Sequence, residues 1–200
     1  MDLKELGTIF ISAALINNFV FTKYLGLCIF FGISKRMDIS ISMGIAVTFV
    51  MVLSSILGGL IYHFALVPFH IEFMRIVVFI IVIACCVQFI EMIVKKHLTT
   101  HYHMWGVYLL LIATNCIVLS IPLINVENKF NLIQSVVNAF GSGVGFALAI
   151  ILMASIREKA DLADLPESLK GFAFAFIAAS CLALAFFGFS GLIKPLAGGI

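Results

Sequence analysis

Apolar residues run along this chain in long blocks, without the short polar interruptions of a soluble helix or strand. Six blocks stand out: Leu6–Ile33, Ile39–Tyr62, Ile71–Val94, Met104–Asn125, Leu132–Ile156 and Gly171–Ile193. Five run 22 to 25 residues, enough for a helix to cross a hydrocarbon core of about 30 Å at about 1.5 Å per residue. The first has 28 residues, roughly 42 Å if helical throughout. Asn17, Asn18, Lys23 and Gly26 fall inside it. The excess length and these residues predict a helix broken within the bilayer, where irregular backbone is tolerated only inside protein. The fourth block is interrupted in the same way, at Ala113-Thr114-Asn115-Cys116 and then Pro122. The pattern predicts an all-α membrane protein of six transmembrane helices, with broken helices in spans one and four.

Three spans per half divide the chain into 1–98 and 99–200, within a single membrane domain. The second half would lie upside down relative to the first, the inverted-repeat pattern in which interrupted helices carry a central site. Asn17 and Asn115 differ by 98 positions, and so do Pro68 and Pro166. Aligning Cys28-Ile29 with Cys116-Ile117 needs an offset of 88, so the loop after the fourth span would carry an insertion. Seven Lys and Arg residues in the first, third and fifth connections stand against four at the termini and in the second and fourth. Lys and Arg favour the cytoplasmic side, which predicts both termini outside.

Composition agrees. The 200 residues are 63% hydrophobic and 11% charged, with mean hydropathy +1.21, against roughly 45–50% apolar in a soluble domain. No room remains for a soluble catalytic domain. The net charge of +2 comes with no basic patch, so nucleic acid is not an expected partner. Asp2-Leu3-Lys4-Glu5 is net negative and no small-residue cleavage pattern follows, so the first span is expected to stay.

Five cysteines lie scattered in hydrophobic stretches, unlike the loop cysteines of a disulfide framework. Cys85, Cys86 and Cys181 read as small hydrophobes. Cys28 and Cys116 differ, because each follows residues that release the backbone, and each lies in the first span of its half. A broken helix presents free N–H groups and a positive dipole end, which suits an anionic thiolate–metal site otherwise costly in lipid. Two thiolates do not complete an iron–sulfur cluster, which commonly takes four cysteines. A partner subunit would supply the rest.

Other polar residues carry less. Lys23 is an intramembrane charge, a functional candidate or a snorkelling stem. Gln88 and Glu91, one turn apart near the end of the third span, either line an ion path or anchor the interface. His97, His101 and His103 lack nearby Cys or paired acids for a metal site. Gly141-Ser142-Gly143-Val144-Gly145 has GxxxG spacing and reads as close helix packing.

The stretches Asn17-Asn18-Phe19-Val20, Lys23 to Lys35 with its Leu-Gly-Leu-Cys, Gln88 to Met92, Thr114-Asn115-Cys116-Ile117-Val118-Leu119, Gln134 to Val137, Ile156-Arg157-Glu158 and Gly188 to Leu192 resemble the A-subunit family of the Rnf electron-transport complex. Nearly the whole chain is covered. The sister family is the matching component of the sodium-pumping NADH:quinone reductase. It tends to Glu-Asn at the first motif, so Asn17-Asn18 and Lys23 favour Rnf. Ser120 stands where Gly is usual, and Ile29 where Pro is usual. The resemblance implies a six-span inner-membrane subunit paired with a homologous Rnf subunit of opposite orientation, and assembled with the other Rnf subunits. It further implies one [2Fe–2S] cluster shared at mid-membrane, with Cys28 and Cys116 as this chain's ligands. The complex would pass electrons between ferredoxin and NAD, coupled to Na⁺ or H⁺ movement. The competing readings are a small secondary transporter, which also has inverted repeats, and a cofactor-free scaffold subunit.

Overall fold

The fold is described from a computed structural model, over residues 3–34, 37–69, 72–97, 111–112, 114–162 and 171–197. Among these residues the chain is helical and contains no strand. The α-helices of four residues or more are α1 (Leu3–Ile11), α2 (Phe19–Thr22), α3 (Leu27–Ile33), α4 (Met37–Ile61), α5 (Arg75–His97), α6 (Cys116–Glu127), α7 (Leu132–Asp161) and α8 (Phe172–Ala197). A π-helical turn, Ser12–Ile16, follows α1, and a second, Tyr62–Leu66, follows α4.

Among the described residues two helices are long and apolar enough to cross a membrane, Met37–Phe64 with part of its π turn included and Leu132–Asp161. At 25 residues, α4 reaches about 37 Å. Shorter apolar helical stretches are Arg75–Phe89, Cys116–Glu127 and Phe172–Gly188. The first block is broken as its composition predicts: α1, the π turn, α2 and α3 occupy its length in pieces. Pro122 does not break the fourth block, since it sits inside α6. Residues 104–110, His101, His103 and Pro166 lie outside the described residues, so the start of the fourth block and most of the histidine cluster do too.

The chain forms two compact units, one of residues 1–48 and 141–200, the other of residues 49–140. In the first, α8 packs on α2 and on the π turn after α1. Phe21 meets Phe186 at 4.7 Å between ring centroids and stands edge-on to Phe30, and Phe31 stacks on Phe176 at 4.7 Å. The glycine run lies in α7. A methyl group at Gly145 would come 2.6 Å from the Ala14 carbonyl oxygen, and one at Gly143 would strike Thr48. Only hydrogen fits at that approach, so the run is a helix-packing surface, as its spacing predicts.

In the second unit α5 packs on α6, and Gly58 admits Pro122 closely. Its interior holds a polar network. The Asn125 amide Nδ2 donates to Ser55 Oγ at 2.8 Å and to the Ser135 carbonyl at 3.3 Å. Ser55 Oγ donates to the same carbonyl at 3.2 Å, and Asn138 Nδ2 donates to Asn125 Oδ1 at 2.6 Å. All four residues are buried. The network fastens α4, α6 and α7. Sequence alone does not reveal it, because Asn125 closes its apolar block and looks like a boundary.

Candidate functional site

Two helix breaks position the two cysteines. In the first, Asn18 takes extended backbone (φ −60, ψ 108), and its Oδ1 accepts from the Val20 N–H. Its Nδ2 donates to the Gly145 carbonyl at 2.9 Å, and Thr22 Oγ1 donates to the Asn18 carbonyl at 2.7 Å. Both ends of the buried amide are therefore engaged, and the break is tied to α7. Asn17 does less, donating to Ser12 Oγ at 3.2 Å from an exposed position. The chain then turns through Tyr24 at φ 54 and Gly26 at φ 81. Glycine enters this left-handed region freely; tyrosine does so at a cost of about 1–2 kcal/mol. Helix α3 starts on Gly26, and Cys28 is its second residue, exposed and free.

In the second break, Asn115 repeats the role of Asn18. Its backbone is extended (φ −75, ψ 119), and its Oδ1 accepts from the Ile117 N–H at 3.2 Å. Helix α6 begins at once with Cys116, partly exposed and outside any disulfide. The equivalence is Asn18 with Asn115, one position from the Asn17–Asn115 match that spacing offers. One difference separates the two caps. Asn115 is 1% exposed, and its Nδ2 has no hydrogen-bond partner among the described residues.

Both thiols thus sit in the first turn of a helix that follows a break, where backbone N–H groups lack intrahelical partners. Each belongs to a different compact unit. Among the described residues no three His, Cys, Asp or Glu side chains gather as a metal site. Cys85 and Cys86 lie in mid-helix on α5 and Cys181 on α8, all free. Lys23, exposed, holds its Nζ 5.6 Å from the Phe19 ring centroid, within cation–π range. Glu91 belongs to α5, and its side chain lies outside the described ones. Arg157, counted by sequence among the connection charges, is instead part of α7 and 9% exposed, with Nη1 donating to the Phe31 carbonyl at 3.1 Å. It caps the C-terminal end of α3, where a cation meets the negative end of the helix dipole.

Long apolar helices, one of the apolar blocks cut into short capped pieces, and thiols at the cut ends define a class: a membrane protein with interrupted helices. The chain belongs to the Rnf-Nqr family, whose description is "Rnf-Nqr subunit, membrane protein" and whose match covers residues 6–193. It is 59% identical to the A subunit of the proton-translocating ferredoxin:NAD(+) oxidoreductase complex of Clostridium ljungdahlii, over 94% of this chain and 97% of that one. It is 47% identical to the A subunit of the ion-translocating oxidoreductase complex of Vibrio cholerae, over 96% of this chain and all of that one. A third relative, from Histophilus somni and of the same name as the Vibrio protein, is 46% identical over 92% of this chain and 95% of its own.

Proposed function

We propose that this chain is the A subunit of an ion-translocating ferredoxin:NAD⁺ oxidoreductase complex, carrying electrons through the membrane. Identity of 59% across 94% of the chain, to a relative bearing that activity in its name, is the observation that carries the reading. In this reading six spans form two inverted halves, residues 1–98 and 99–200, with both termini outside the inner membrane. A homologous six-span partner and the other Rnf subunits complete the assembly, and ion movement, Na⁺ or H⁺, is coupled to electron flow.

Cys28 and Cys116 would hold one side of a [2Fe–2S] cluster. The donor set fits half of such a centre. Both thiols are reachable from outside the chain, both stand at helix starts, and no third ligand joins either among the described residues. When bound, the cluster accepts and releases one electron at a time. The chain's residues supply the rest: burial, the capped breaks and first-turn backbone N–H groups that favour anionic sulfur. Lys23, near the first break, and Glu91 on α5 are proposed for ion or electrostatic roles.

The test uses the whole complex. Iron and acid-labile sulfide are measured, and EPR spectra are recorded after reduction. Cys28→Ser and Cys116→Ser, each alone, are expected to remove the same cluster signal while the complex still assembles. An assembled complex with its spectrum unchanged in both variants overturns the ligand assignment.

A further inference from the structure

The unpartnered amide of Asn115 sits beside Cys116, and this inference rests on the cluster reading above. We propose that Asn115 Nδ2 is a built-in hydrogen-bond donor to sulfur at the centre held by Cys116, and that it raises the centre's reduction potential. Asn115 is a positioning and tuning residue in this role, not a ligand.

The cap fixes the amide's orientation. Oδ1 accepts from the Ile117 N–H, so the two remaining hydrogens belong to Nδ2. That nitrogen is enclosed yet unpaired among the described residues, inside a residue 1% exposed. A buried donor without an acceptor is costly, and each such group asks for an explanation such as a bound water or ion. Capping alone does not supply one. Serine and aspartate cap a helix as well as asparagine and leave no amide donor stranded. Asn18 shows what an asparagine does when only the fold is served, since its Nδ2 closes on the Gly145 carbonyl. The cap with a stranded donor is the one that touches a cysteine in sequence, and Cys116 lies between Asn115 and the N–H it caps.

A thiol is a weak acceptor, whereas a metal-bound thiolate or a bridging sulfide carries negative charge and accepts well. On reduction the centre gains one electron and one negative charge, supplied in a titration by a mediator-buffered reductant. A donor aimed at sulfur stabilises that added charge, and hydrogen bonds to sulfur are one lever on cluster potential.

The experiment compares the intact complex carrying wild-type Asn115, Asn115→Ala and Asn115→Asp. Alanine removes cap and donor without adding charge; aspartate keeps the cap and removes the donor. EPR-monitored redox titration should show the reduction equilibrium constant falling about tenfold in both, about 59 mV for one electron. Electron–nuclear double resonance after D₂O exchange should lose one exchangeable proton coupling in both variants. A cluster that persists with unchanged couplings overturns the inference and leaves the cluster reading intact. A wild-type complex with no cluster signal dependent on Cys116 overturns the cluster reading itself.

Discussion

Tyr24 and Gly26 show how two near neighbours set a turn at opposite costs. Both take positive φ, but only the glycine does so freely. Gly26 is buried and begins α3, so Gly26→Ala is expected to destabilise the chain by about 1–2 kcal/mol. Tyr24 is exposed, and Tyr24→Gly should relieve its strain and recover a similar amount, less the entropy that glycine adds to the unfolded chain. Thermal unfolding of the purified complex in one detergent tests both signs. An alanine variant as stable as wild type would show that the turn is not held as described. The position of this break was legible from Asn17-Asn18 and Gly26, because such residues fit poorly in a lipid-facing helix. Which asparagine acts was not. Spacing favours Asn17, whereas burial and two hydrogen bonds select Asn18, and only the fold can bring Gly145 to it.

Among the elements, α6 is held from both ends. Asn115 caps its start, and at its close Asn128 donates to the Ile124 carbonyl, Lys129 turns at φ 52, and Phe130 donates to the Asn125 carbonyl. The following connection is closed by Gln134, whose side chain accepts from the Asn131 N–H. Between these ends Asn125 joins α6 to α4 and α7. Asn125→Ala would remove the Oδ1 that accepts from Asn138 Nδ2 and the Nδ2 that donates to Ser55 Oγ. The expected loss is about 1–3 kcal/mol, read as a lower unfolding temperature, while Asn128→Ala, exposed in the turn, should move it little. Equal shifts in the two variants would count against the network. Helix α6 was legible as an apolar run, and an interruption was expected at Pro122. Pro122 instead lies buried within the helix, with Gly58 opening space for it. A linear reading cannot see that compensation, because the glycine lies on another helix.

Across the whole molecule the exterior is apolar where a soluble protein would be polar. Phe73 is 97% exposed and Phe64 80%, and Phe89, Leu184 and Phe187 are exposed as well. Surfaces of this kind demand lipid or a partner chain. The apolar character was legible from composition alone; which positions face outward was not, since the blocks are hydrophobic all round. Cys28 is exposed too. A maleimide reagent is therefore expected to modify Cys28 in the separately purified chain and to be excluded in the assembled complex. Equal labelling in both states would show that the partner does not cover that break.

A four-residue helix has almost no cooperative stability of its own, so α2 must borrow rigidity from what it leans on, and that is α8. In chain order α8 follows every other described helix. The scaffolding ahead of the first thiol therefore sets only once synthesis has delivered the far end of the polypeptide. Under the proposed ligand assignment, metal loading at Cys28 is a late event in biogenesis, one that waits for the last helix to arrive.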